Sequence, residues 1–128
     1  MSIYDKLFIA AYFIGAIIGQ ALFQANQFKR NKPISHFWHA VCYALAAVPA
    51  VWFFWPAWWQ VVVIGIVTRL AFFDPLLNLV RGKPLLYNGA GTTGSKLDQF
   101  ENRFSVTWIR FIKLAYVALF VIAIIKIR

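Results

Sequence analysis

The chain has few charged residues and a single cysteine. Charged side chains make up 13% of its 128 residues, against roughly 25% in an average soluble domain, and only four of them are acidic. Cys42 alone cannot form an internal disulfide. The remainder is 62% hydrophobic and 19% aromatic. A soluble domain this small cannot bury so much apolar surface, so the composition predicts a single-domain integral membrane protein.

The charge balance is strongly basic, with 13 Lys and Arg and a net charge of +9. Such a chain could bind nucleic acid, but the cations flank long apolar runs, which is typical of helices held against anionic head groups. We therefore expect membrane lipids, anionic ones above all, as partners, and no nucleic acid.

The apolar runs predict four membrane-spanning helices. Residues 7–28 and residues 33–68 contain no charged side chain, and about 20 apolar residues cross the hydrocarbon core. A Trp-rich segment around Pro56 divides the second run into two helices at an interface. Asp74-Pro75 is a helix-start dipeptide, so the segment that follows and ends at Gly82 is either a continuation of the third helix, broken at 74–75, or a short interfacial helix; we favour the continuation.

Ser95 with Asp98 resembles a capping box and predicts the start of the last helix. The predicted fold is an all-α, four-transmembrane-helix antiparallel bundle in one domain of residues 1–128. Its helices are expected at about 4–28, 34–54, 57–81 with a break at 74–75, and 96–127.

The basic residues concentrate in two loops on one side. The first loop carries Lys29, Arg30 and Lys32, and the second carries Arg81, Lys83, Lys96 and Arg103. The positive-inside rule places these loops in the cytoplasm and both termini outside. We expect a bacterial inner membrane as the location.

Alternating helices bring most polar side chains to the leaflet of the basic loops. Ionisable groups at membrane depth are costly, so they usually face inward and mark a site. The prediction is a cationic site that binds an anionic lipid, a phosphorylated ligand or a partner subunit. Its candidate residues are Arg69, Asn78, Arg81, Lys83, Arg110, Lys113, Gln20 and Gln24, with Gln27 on the same stripe. A buried ion pair of Asp74 with an arginine, which only locks helices together, is the structural alternative.

A second hypothesis is an integral membrane enzyme acting on a phosphate-bearing lipid. His36 or His39 would serve as acid or base, with Asp74 as the orienting residue. The same three side chains could hold a divalent metal, and no other cofactor is predicted. Interfacial histidines that donate to a lipid phosphate are the commoner case. A channel or holin-like assembly is the third hypothesis.

Two patterns of small residues also suggest a phosphate contact and a helix-packing contact. Residues 89–96 resemble a phosphate-binding loop whose last two residues are swapped, which favours either a phosphate held at a helix N-terminus or a plain connecting loop. Ala11, Gly15 and Gly19 recur every four positions and suit close helix packing within the chain or between copies. The chain could therefore be a homo-oligomer or a subunit of a membrane complex.

Overall fold

Four long helices form the protein in a computed structural model that describes residues 1–30, 32, 35–84 and 106–128. They are α1 (Ile3–Lys29), α2 (His36–Phe53), α3 (Trp58–Val80) and α4 (Val106–Lys126). All four are long and apolar enough to cross a membrane. The prediction of an all-α bundle of four membrane helices is confirmed, and the chain is a small polytopic membrane protein.

Local sequence fixes the helix ends. The Ser2 hydroxyl accepts from the Asp5 amide, and the Asp5 carboxylate accepts from the Ser2 amide, which is a capping box that the sequence analysis did not use. At the end of α3, Gly82 has a φ of 67°. The Gly82 amide donates to Leu79 and the Lys83 amide donates to Asn78, so α3 ends in a Schellman motif at the predicted glycine.

The helices run up and down, with α1 parallel to α3. The Tyr12 hydroxyl donates to the Ala46 carbonyl (2.6 Å) and the Gln20 amide to the His39 carbonyl (2.7 Å), so α1 and α2 are antiparallel. The buried ammonium of Lys6 donates to the carbonyl of Ile127, which joins the two termini. We call the end that carries both termini and the Trp-rich turn of residues 52–59 the Trp-rich end, and the opposite end, with Lys29, Arg30, Lys32, Arg81 and Lys83, the basic end.

The core lies between α1 and α3, which make the most extensive contact in the bundle; α4 packs mainly on α3, and α2 packs lightly on both. Phe13 is fully buried, and its ring reaches Gly65, where an added Cβ would lie 2.8 Å from the ring. Gly65 is therefore a close-approach glycine of the bundle. By contrast, no atom of the described residues lies within 4 Å of a Cβ added at Gly15 or Gly19, so these two do not serve packing among the four described helices.

The third helix continues through Pro75 to Val80 as one helix, so the favoured continuation of the third span is confirmed. The predicted break at 74–75 and the alternative of a separate short helix that begins at Pro75 are wrong. Proline removes one backbone hydrogen bond, and in a membrane bundle neighbouring helices can compensate for that loss. The predicted start of the last helix near residue 96, its capping box and the glycine-rich segment 89–96 lie outside the described residues.

Candidate functional site

A groove of ≈ 570 Å³ separates α1 from α2 in the half of the bundle near the basic end. Phe23 and Trp38 at its sides are 56% and 63% exposed, so the groove faces outward, toward the surrounding lipid. Gly19 contributes no side chain, which leaves the space between the helices open. The lining residues are Ala16, Gly19, Gln20, Phe23, Gln27, Ser35, Trp38, His39, Cys42, Tyr43 and Ala46.

A chain of hydrogen bonds forms the polar wall of this groove. The Arg69 guanidinium donates to Gln20 Oε1 (2.5 Å), and Gln20 Nε2 donates to the His39 carbonyl (2.7 Å). The Nε2 atom of the His39 ring lies 3.4 Å from Gln27 Oε1. Residues of α1, α2 and α3 thus meet in one network, and four of the residues singled out from the sequence belong to it: Gln20, Gln27, His39 and Arg69.

Arg69 carries a positive charge into the middle of the bundle. It is the central residue of α3, eleven positions from Trp58 and eleven from Val80. Its guanidinium lies 4.8 Å from the centre of the Tyr43 ring and 4.3 Å from that of Phe73, both within cation–π range. Among the residues that the structure describes, no carboxylate forms a salt bridge with Arg69.

The one acidic side chain at this depth in the described ranges is used elsewhere. Asp74 forms an ion pair with Lys113 of α4, and the Lys113 side chain is 4% exposed. The carboxylate is therefore paired with a lysine, whereas the structural alternative drawn from the sequence had paired it with an arginine. Asp74 and Lys113 join α3 to α4. In the part of the chain that the structure describes, Asp74 makes its salt bridge with Lys113 and not with Arg69.

The other predicted residues lie apart from the groove. Asn78 and Gln24 are buried, and among the described residues the Nε2 atom of Gln24 has no hydrogen-bond partner. Arg81 lies with its guanidinium 3.9 Å from the centre of the Phe28 ring. Lys83 and Arg110 are exposed.

The structure does not bring together the residues predicted for a metal. His36 is exposed at the first turn of α2, His39 is buried against α1, and Asp74 is bonded to Lys113. Within the described ranges, no three His, Cys, Asp or Glu side chains lie close enough to hold a metal ion. In the part of the chain that the structure describes, the His39 ring lies next to Gln27 and not next to a carboxylate.

The sequence pattern assigns no role at the candidate site to Tyr43 or Gly19. It does place Tyr43 on the same face of α2 as His36 and His39, and that shared face was the available signal for its position beside the cation. Its hydroxyl donates to the Gly65 carbonyl (2.6 Å), which fixes the ring against Arg69. Gly19 was assigned to helix packing, because a sequence pattern does not say whether small residues admit a helix or a ligand.

The arrangement can hold an anion. The groove lining offers neutral hydrogen-bonding groups of Gln20, Gln27, Ser35 and His39 and an opening toward lipid. Arg69 is not among the lining residues, and its positive charge is linked to the groove through the hydrogen bond to Gln20. Cys42 lines the same groove as a free thiol. Comparison of the chain with protein-family models, with curated proteins and with solved structures found no match.

Proposed function

We propose that the protein binds the phosphate of an anionic membrane lipid in the groove between α1 and α2. The observation that carries this proposal is Arg69, a cation at the centre of a membrane helix that forms no salt bridge with a carboxylate in the described ranges. An arginine at this depth costs about 2.5–3.5 kcal/mol on insertion scales. Aromatic stacking and the bond to Gln20 recover part of that cost, and a bound phosphate would supply the missing negative charge.

The shape of the groove favours a ligand that enters from the bilayer. Its outer residues Phe23 and Trp38 are exposed on the surface that faces lipid, so a lipid can reach the polar wall by lateral diffusion. Ser35, Gln27 and His39 lie between Arg69 and the basic end, where they could bond the remaining phosphate oxygens or the head group. A phosphorylated molecule from the aqueous phase would have to enter from the same end.

The proposal includes an orientation. Lys29, Arg30 and Lys32 are exposed beside the basic end of the groove, and Arg81 and Lys83 follow α3 there. Cytoplasmic loops are enriched in such residues, and juxtamembrane cations attract anionic lipids by about 1 kcal/mol each. We therefore assign the groove to the cytoplasmic leaflet of a bacterial inner membrane, with both termini on the opposite side.

Lipid retention by the purified protein tests the role of Arg69. Native mass spectra would be recorded in mild detergent after exchange into anionic phospholipid, zwitterionic phospholipid or inorganic phosphate. A hydrogen bond to a charged group contributes about 1.5–3 kcal/mol, so Arg69→Gln should weaken anionic lipid binding by about tenfold to a hundredfold. Arg128→Gln removes the same charge at the exposed C-terminus and should leave binding unchanged. Equal binding by wild type and Arg69→Gln would contradict the proposal.

A steric variant tests the same site without removing a charge. A leucine side chain that replaces Gly19 would extend into the groove, because Gly19 is a lining residue. A leucine that replaces Gly15 would also have room, but Gly15 does not line the groove. We expect Gly19→Leu to abolish retention of the lipid and Gly15→Leu to retain it, with both variants folded. Identical retention by the two variants would refute the groove as the site. Binding of inorganic phosphate as tight as that of the lipid would identify a soluble ligand instead.

A further inference from the structure

A second, apolar groove lies between the same two helices toward the Trp-rich end. It has a volume of ≈ 250 Å³, and almost all of its surface is carbon. Phe8 and Phe53 are 64% and 77% exposed, so this groove also faces the lipid. Its lining residues are Phe8, Ile9, Tyr12, Pro49, Ala50, Phe53 and Phe54.

The two grooves follow one line along α1 and α2. On α2 the polar groove ends at Ala46 and the apolar groove begins at Pro49. On α1 the polar groove ends at Ala16 and the apolar groove begins at Tyr12. The hydrogen bond between Tyr12 and Ala46 marks the boundary between them. From Gln27 to Phe8 this line covers about 28 Å of α1 at 1.5 Å per residue, close to the thickness of the hydrocarbon core.

The polar wall would hold a head group unusually deep. Gln20, which bonds Arg69, lies about 13 Å along α1 from its end at Lys29, counting 1.5 Å per residue. One leaflet contributes about half of the ~30 Å hydrocarbon core, so a phosphate bound at Gln20 lies near the midplane. Its chain would then extend into the other half of the bilayer, where the apolar groove continues the same line.

We infer that the apolar groove holds the hydrocarbon chain of the lipid phosphate, which crosses the bilayer midplane along the line between α1 and α2. This inference rests on the proposed function. The ligand class is a lipid phosphate with at least one chain free to enter the groove, its head group at Gln20 and Arg69 and its chain between Phe8 and Phe53. The hydrocarbon chain is thus the single proposed occupant of the apolar groove, and it extends from the head group bound in the polar groove.

The groove determines the position of the chain more than it increases affinity. Lipid tails are as apolar as the groove, so transfer of a chain from bilayer to protein brings no hydrophobic gain and leaves packing as the favourable contribution. A binding constant would therefore be insensitive to the chain's location. The experiment must therefore measure the position of the hydrocarbon chain.

Photoreactive lipid phosphates can show where the hydrocarbon chain lies. One probe carries a diazirine next to the phosphate and a second carries it near the end of the chain; each is added to the full-length protein in anionic bilayers. Labelled residues are mapped by peptide mass spectrometry. We expect the first probe to label Phe23 and Trp38. The second should label Phe8 and Phe53 about tenfold more than the exposed aromatic Trp52, which adjoins Phe53 but does not line the groove.

The outcomes separate the two proposals. Gly19→Leu should lose labelling by both probes, and Gly15→Leu should keep it. If the first probe labels the polar groove while the second labels Trp52 as strongly as Phe53, the chain is free in the bilayer and the inference is overturned, although head-group binding stands. If the first probe does not label Phe23 or Trp38 above other exposed aromatics, the proposed function itself fails, and the inference fails with it.

Discussion

Replacement of Asp74 by asparagine tests whether the ion pair with Lys113 holds α3 and α4 together. Asparagine has nearly the same size and keeps a hydrogen-bonding oxygen, but it carries no negative charge. The ammonium of Lys113, 4% exposed, would then remain in the bundle without that counter-ion. We expect Asp74→Asn to lower the free energy of unfolding.

The magnitude follows from burial. Removal of one partner of a buried ion pair costs about 3–5 kcal/mol, chiefly because the remaining charge stays desolvated. Asp74 is 26% exposed, so solvent or head groups already screen part of the interaction. The expected loss is therefore at the low end, about 3 kcal/mol.

Unfolding by SDS in mixed micelles, followed by fluorescence of the six tryptophans, measures this loss. Lys113→Met combined with Asp74→Asn removes both charges, so the double variant should be more stable than Asp74→Asn alone, with a coupling of about 0.5–3 kcal/mol. Lys126→Met removes an exposed lysine of the same helix and should be nearly silent. A loss below about 0.5 kcal/mol for Asp74→Asn, or simple additivity in the double variant, would refute a stabilising pair.

Two further predictions concern packing and the histidines. Gly65→Ala places a Cβ against Phe13 and should destabilise the bundle by about 1–3 kcal/mol in the same titration, whereas Gly15→Ala, in open space, should not; equal effects would show that Phe13 moves freely. His39→Ala should reduce retention of anionic lipid several-fold, as expected for a lost neutral hydrogen bond, while exposed His36→Ala should leave both retention and stability unchanged. A reversed order of the two histidines in native mass spectra would count against the groove.

The spans were predictable because charges, prolines and tryptophans mark where helices leave the membrane. The predicted ranges 4–28, 34–54 and 57–81 lie within two residues of the bounds of α1, α2 and α3 at each end. Pro75 was the exception. Whether a helix continues through proline depends on the helices packed around it, which the local sequence does not specify.

The sequence allows a prediction of which residues of the candidate site lie at the same depth in the membrane. It does not allow a prediction of which side of its helix each residue faces. An up-and-down path follows from the short loops, and it sets which residues share a level. The rotation of each helix about its axis decides which of them meet, and it depends on close contacts such as Phe13 against Gly65. Arg69 and Asp74 are five positions apart, so on an unbroken helix they face different neighbours. One contacts Gln20 and the other contacts Lys113.

Phe13 also has an electrical consequence. Its ring lies beside Tyr43 and Gly65, one turn below Arg69, within a buried apolar layer that includes Ile9, Val61 and Ile64. An ion that enters from the basic end would have to shed its hydration to pass this layer, at a cost of tens of kcal/mol in a medium of low dielectric constant. In the described part of the chain, this layer therefore separates the polar groove from the Trp-rich end.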